Sequence, residues 1–266
     1  MRRIIEVIMN LRWKYLFYRS IVIVDRSSKF TVGKDCKIAR SKIVVKNGNS
    51  VAISDYCRID NCVISSIELN NWGRCAMTVG HNTEMKNVTM LVSGNVFIGA
   101  HNEINNVDEY LPLTMWVGGE LSIGDHNRIS SKIWIRFGGQ LTIGNYNCVN
   151  ERSEIRADES VYIGSYNMIS YDCCIWDTNT HCMYPKEERR AMTEDPNLYI
   201  GYEKEKPVTR PVVIGDDNWI GRYCTIMKGC EIGNECVLAF HTLLINQKLP
   251  DSTMAYNKVE TKVTLK

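Results

Sequence analysis

Within six residues, Asp177-Thr178-Asn179-Thr180-His181-Cys182 gathers a carboxylate, a carboxamide, an imidazole and a thiol. Imidazole exchanges a proton near neutral pH, its reference pKa being about 6.5, so His181 is a group that could take up a proton during a reaction. Cys182 beside it offers a nucleophile instead. The other histidines, His81, His101, His126 and His241, do not make a three-ligand pattern with it. Cys57 with Cys62, and the Cys173-Cys174 pair, lack zinc spacing with histidine partners, so no metal is expected.

The chemistry is placed at His181 because a regular pattern breaks there. Three blocks of twenty residues, starting at Leu121, Leu141 and Val161, align without a gap. Their apolar columns are Leu121/Leu141/Val161, Ile123/Ile143/Ile163, Ile129/Val149/Ile169 and Ile135/Ile155/Ile175. Each block also carries an aliphatic-Gly-x-x-Asn phrase ending on Asn127, Asn147 or Asn167. An aliphatic residue about every six positions, with Gly just after it, predicts a parallel β-helix in which one block makes one coil. The same phrase appears in degraded form from Val32-Gly33 through Ile98-Gly99, with extra residues in some turns. It returns in its cleanest form at Ile214, Ile220, Ile226, Ile232, Leu238 and Leu244. Stacked at about 4.8 Å, roughly ten such coils would extend about 45 to 50 Å.

Asn102, Asn127, Asn147 and Asn167 fall at equivalent turn positions and predict an amide ladder. His101 and His126 adjoin it and read as turn residues. Cys224, Cys230 and Cys236 recur every six residues before aliphatic positions and read as small core fillers. Eleven cysteines of this kind point to a reducing, cytoplasmic setting.

Residues 25–249 are thus read as one β-helical domain. Residues 1–24 stand apart: Arg2, Arg3, Arg12, Lys14 and Arg19 oppose Glu6, while Ile4, Ile5, Ile8, Leu11 and Tyr15 share one helical face. This basic amphipathic helix is read as a cap on the open end of the solenoid, with peripheral contact to an anionic membrane surface as the alternative. Charge interrupts it too often for a membrane span, and no cleavage site follows. Asp108 to Pro112 is read as a projecting loop. Residues 182–210 break the period with mixed charge and read as a lid or binding arm, and 250–266 as a tail. A net charge of +2 gives no argument for nucleic acid.

The phrase Arg210-Pro211-Val212-Val213-Ile214-Gly215-Asp216-Asp217-Asn218-Trp219-Ile220-Gly221, continuing through Gly229-Cys230-Glu231-Ile232-Gly233, resembles the C-terminal segment of the hexapeptide-repeat acyltransferases. Within that family the chain is most similar to sugar and capsular-polysaccharide O-acetyltransferases. The resemblance implies an all-β, left-handed parallel β-helix, against the usual right-handed crossover preference, and a homotrimer with active sites between subunits. It also implies acetyl-CoA as donor and a saccharide acceptor. By the same match His181 is the general base, Asp177 or Asn179 orients it, and Trp219 lines the path of the pantetheine arm. The backbone amide near Arg222 would hold that arm or a developing oxyanion. No covalent nucleophile is required, since a thioester is already activated.

The chain departs from the family at Ala239-Phe240-His241-Thr242, where small residues are usual, and at Ala255-Tyr256-Asn257-Lys258. Phe240 would then border the cofactor, and Lys258 and Lys262 could approach its phosphates. The leading expectation is O-acetylation of a sugar hydroxyl in surface-polysaccharide synthesis. Its rivals are N-acylation of an amino or nucleotide sugar, and a non-catalytic trimeric scaffold or glycan-binding surface.

Overall fold

The structure, a computed structural model, describes residues 16–66, 74–106, 112–195, 203, 205–258 and 264. The amphipathic pattern of residues 1–15, residues 108–111 of the loop expected from Asp108 to Pro112, and Lys262 lie outside the described residues. The chain winds into a three-faced parallel β-helix. Face A stacks eleven strands from Phe17–Tyr18 to Met254–Ala255, and faces B and C stack ten each. At the height of the site, face A carries Met168–Ile169, face B carries Cys174–Trp176 and face C carries Val212–Ile214. Every strand pairs in parallel with the coil above or below, as in the left-handed β-helix that the resemblance implies.

The β-helix is longer than residues 25–249 at both ends. Phe17–Tyr18 and Ile21–Val24 are already strands of the first coil, and Met254–Ala255 closes face A against Val237–Leu238.

Three of the four predicted columns hold as registered pairs: Leu121 on Leu141 on Val161, Ile123 on Ile143 on Ile163, and Ile129 on Val149 on Ile169. The fourth is offset. Ile155 and Ile175 stack beneath Ile133, while Ile135 stacks on Ala157. The coil containing Ile133 turns its A-to-B corner with two fewer residues and recovers them at Phe137-Gly138, both of which have positive φ. A fixed period of twenty therefore conceals a slip on one face.

Inside, the aliphatic columns are fully buried, each such side chain contributing about 1.5 to 3 kcal/mol relative to exposure. Cys224, Cys230 and Cys236 are buried among them. Two of these thiols also donate to the next coil, Cys224 Sγ to the Ala239 carbonyl at 3.1 Å and Cys236 Sγ to that of Pro250 at 3.2 Å. The Gly of each aliphatic-Gly phrase is explained by close approach. A Cβ on Gly124 would lie 2.3 Å from Asn145 Oδ1, and that oxygen accepts the Asp125 amide at 2.7 Å.

The amide ladder forms as expected. Asn127, Asn147 and Asn167 each donate Nδ2 to the preceding asparagine's Oδ1, at 3.1, 3.0 and 3.0 Å. The left-handed turn residue is the one before each asparagine: His101, His126, Tyr146 and Tyr166 all have φ between 57° and 61°. Their rings stack along the corner, with centroids 4.6, 4.7 and 5.0 Å apart. His101 and His126 are thus turn residues.

Candidate active site

The coils position His181 by a neck at the corner between faces B and C. Strand Cys174–Trp176 ends at Asp177, whose buried carboxylate accepts the backbone amides of Asp158, Glu159 and Ser160 at 2.8, 2.7 and 2.6 Å. Burial pushes this carboxyl up despite the three amides. Thr178 then forms an antiparallel bridge with Thr209, the Asn179 amide donates to the Val208 carbonyl at 3.1 Å, and Arg210 donates back to Asp177 at 2.9 Å. The excursion leaves and re-enters the solenoid through these bonds. Below the neck, Arg136 clasps the fully buried Asp158 through two bonds and donates to the Thr180 carbonyl at 3.0 Å.

His181 emerges from this neck with its side chain 57% exposed. Its Nδ1 pairs with Oε1 of Glu203, a carboxylate whose side chain is only 2% exposed. Glu203 Oε2 accepts the Cys182 amide at 3.2 Å and the Tyr184 hydroxyl at 2.8 Å. Burial pushes the Glu203 carboxyl up, but the bonds from His181, Tyr184 and Cys182 outweigh it and hold the group below its usual range. The same carboxylate pushes the Tyr184 hydroxyl up to about 12. With Nδ1 engaged, Nε2 is the nitrogen left to meet a substrate.

The group paired with His181 is therefore neither Asp177 nor Asn179. Asp177 spends both oxygens on backbone amides of the neighbouring coil, and Asn179 contributes a backbone bond to the neck from an exposed position. Glu203 takes that place. Nothing in the pattern pointed to it, because it sits in the run Glu203-Lys204-Glu205-Lys206, whose composition reads as solvated. The one local signal is Tyr184, an aromatic three residues past the histidine in an otherwise charged segment. Beyond it the excursion forms a helix, Lys186–Glu194, which begins after Pro185, carries Glu187 and Glu188 in its first turn and buries no residue. Cys182 is half-buried, with Sγ 3.7 Å from the Glu205 carbonyl.

The remaining predicted residues lie elsewhere on the prism. Trp219 is 60% exposed on face A, stacked between Met168 and Val237. In a triangular section face A lies opposite the B–C corner, so one chain does not bring Trp219 to His181. Arg222 sits at the A–B corner, where its guanidinium bonds Asp172 at 2.9 Å and lies over the Tyr223 ring. Phe240 and His241 turn onto that same Tyr223, with ring centroids 5.6 and 6.0 Å away. The aromatic pair is thus gathered at the corner beside Tyr223. Lys258 is exposed past the last strand. Among the described residues no helix is long and apolar enough to cross a membrane.

Comparison with known proteins adds the following. No curated protein matches the chain. Among solved structures, it resembles the polySia specific acetyltransferase NeuO at 17% identity, over 90% of this chain and 83% of that one, with a TM-score of 0.45. It also resembles the polysialic acid O-acetyltransferase OatWY at 19% identity, over 93% and 92%, with a TM-score of 0.33. Residues 211–246 match the family model for the bacterial transferase hexapeptide (six repeats). Over those residues, the repeat that builds this β-helix is similar to the bacterial transferase hexapeptide.

Proposed function

We propose that the protein is an O-acetyltransferase that moves an acetyl group from acetyl-CoA to a sugar hydroxyl of a polysaccharide or its precursor. The observation that carries this reading is the pairing of exposed His181 with buried Glu203 at the neck of the excursion, in a chain whose next coils carry the transferase hexapeptide. Glu203 holds the Nδ1 proton, so Nε2 accepts the proton of the attacking hydroxyl as its oxygen bonds the acetyl carbon. The imidazolium formed is held by the Glu203 carboxylate. It returns the proton to the departing sulfur as the C–S bond breaks, and the base is restored. General-base assistance of this kind contributes typically about 10² to 10⁴ in rate.

The donor fits face A. Exposed Trp219, Met168 and Met254 form an apolar ledge suited to a pantetheine arm, and Phe240, Arg222 and Lys258 stand at its margin for the nucleotide end. Because this ledge lies opposite His181 in one chain, the reading requires a second copy to bring its own ledge to the histidine, as in a homotrimer with intersubunit sites. Incubation with acetyl-CoA and saccharide acceptors should release free thiol, and His181→Ala should abolish the release while leaving the oligomer intact. Equal turnover by both proteins would remove His181 from the mechanism.

A further inference from the structure

We infer that face B carries a track for an uncharged saccharide chain, which starts in a cleft at the A–B corner and ends at His181. That the track feeds an acetyl transfer rests on the function proposed above; the track itself stands on separate geometry. The cleft has a volume of about 600 Å³ and is walled by Pro112, Lys132, Glu151, Arg152, Glu154 and Tyr171. That size lies within the range of small-molecule sites, about 300 to 1,000 Å³.

From its rim, three consecutive coils present outward pairs across the face: Lys132 with Trp134, Glu154 with Arg156, and Cys174 with Trp176. The Arg156 guanidinium lies between the indoles of Trp134 and Trp176, 5.2 and 5.0 Å from their centroids. Lys132 Nζ stands 4.4 Å from the Trp134 ring. Flat, half-buried indoles held in place by cations suit the C–H faces of pyranose rings. At the far edge come Arg136 and Asp158, and Arg136 bonds the carbonyl of Thr180, the residue before His181. A strand of three or four residues at about 3.3 Å each, with its corners, gives a width on the order of 15 Å, the reach of a short oligosaccharide.

The charges select the ligand class. Arg152 is matched by Asp172, Arg156 and Lys132 share Glu154, and Arg136 is matched by Asp158. With Glu151 in the cleft wall counted, these four cations meet four carboxylates, so the face holds no net positive charge for a polyanion. What lacks partners is Glu151 Oε2 in the cleft wall and, across the face, Trp134 Nε1, Trp176 Nε1 and Arg156 Nε. Buried polar atoms without partners cost about 1 to 3 kcal/mol each and mark places where a ligand or water completes the bonding. Once their half-buried side chains turn outward, this one acceptor and these three donors match the hydroxyls and ring oxygens of a neutral sugar, and the unmatched carboxylate opposes an acidic one.

The test uses full-length His181→Ala protein and isothermal titration with glucose, maltotriose, maltohexaose, laminarihexaose, chitohexaose and an oligogalacturonate hexamer. Affinity should rise from one to about three rings for at least one uncharged series, and Trp134→Ala and the milder Glu151→Gln should each weaken it about tenfold. The size-exclusion profile and melting temperature of Glu151→Gln should not move. Failure of every uncharged sugar to bind would overturn the proposal, as would tightest binding of the oligogalacturonate. A change of oligomeric state in Trp134→Ala without a change in sugar affinity would also overturn it, since face B would then be a subunit contact. Chain-length-dependent binding without acetyl transfer by the wild type would uphold the track and sink the transferase; transfer indifferent to acceptor length and to Trp134 would do the reverse.

Discussion

Glu203 meets Nδ1 of His181 from a position twenty-two residues further along the chain, across an excursion that the solenoid itself does not need. The histidine belongs to the end of one coil and its carboxylate partner to the returning arm. The distance between them is closed by the neck at Thr178 and Thr209, so the state of the excursion and the orientation of the imidazole are one variable.

The first expectation follows from that coupling. Glu203→Gln keeps the shape of the side chain and removes its charge, so the ring stays placed while its protonated form loses support. We expect kcat to fall on the order of tenfold to a hundredfold with KM little changed, less than the 10² to 10⁴ attached to the base itself. Tyr184→Phe, which removes one donor from Glu203 and leaves the His181 contact, should fall several-fold short of that. A KM effect with normal kcat would mean that Glu203 serves only to shape the loop.

The two ends of this network also fix a pH window. Glu203 has a folded pKa below its ordinary 4.5, so its contribution is complete above 4.5 and is lost as pH falls through the lower folded value. Tyr184 is raised from 10.0 to about 12, so its contribution is complete below 10.0 and is lost as pH rises through about 12. Proteolysis of the 182–207 segment should therefore accelerate below the first limit and above the second. A protection profile unchanged at both extremes would contradict it.

Much of this architecture was legible in the residues, and the reason is repetition. Leu121, Leu141 and Val161 each report the same environment, so a column states its own register. Where repetition slips, legibility fails: the compensating corners around Ile133 and Phe137 left the period of twenty intact and misplaced Ile135 and Ile155. The candidate site was half legible for the same reason. His181 stands where the pattern stops, which is visible, but its partner lies inside the non-repeating segment, where burial leaves no periodic trace. The bonding of Asp177 was not legible because a carboxylate near a histidine looks the same in sequence whether it faces the ring or, as here, caps three backbone amides.

Trp219 offers a test of the donor ledge that does not threaten the fold. Its ring is 60% exposed, and exposed positions without special partners change stability within about 0.5 kcal/mol. Trp219→Ala should melt like the wild type and raise the KM for acetyl-CoA about tenfold. An unchanged KM would move the donor off face A.

The amide ladder should show up as stability alone. Asn147 accepts from both the backbone and the side chain of Asn167 and donates to Asn127 and to the Gly164 carbonyl. Asn147→Ala leaves those buried partners unmatched, at about 1 to 3 kcal/mol each. The unfolding midpoint should fall by several kcal/mol equivalent while the folded fraction keeps its turnover number. A catalytic deficit without a stability deficit would be incompatible with a purely structural ladder.

Asp177 separates the structural and catalytic readings of the neck most cleanly. Its Oδ2 accepts two amides and its Oδ1 one, all from the segment that also presents Asp158 to Arg136. In Asp177→Asn at least one of these amides faces an NH2 group, and a buried donor left in that state costs about 1 to 3 kcal/mol. Burial already pushes the Asp177 carboxyl up, so the charge is held at some expense and its removal by itself recovers part of that loss. The net expectation is a moderately destabilised protein whose folded molecules, assayed well below their melting temperature, keep a near-normal kcat because His181 still faces Glu203. Thermal denaturation and a kcat measurement on the same preparation decide it. A stable Asp177→Asn protein with kcat down a hundredfold would return the orienting role to Asp177 and leave Glu203 as a mere anchor of the loop.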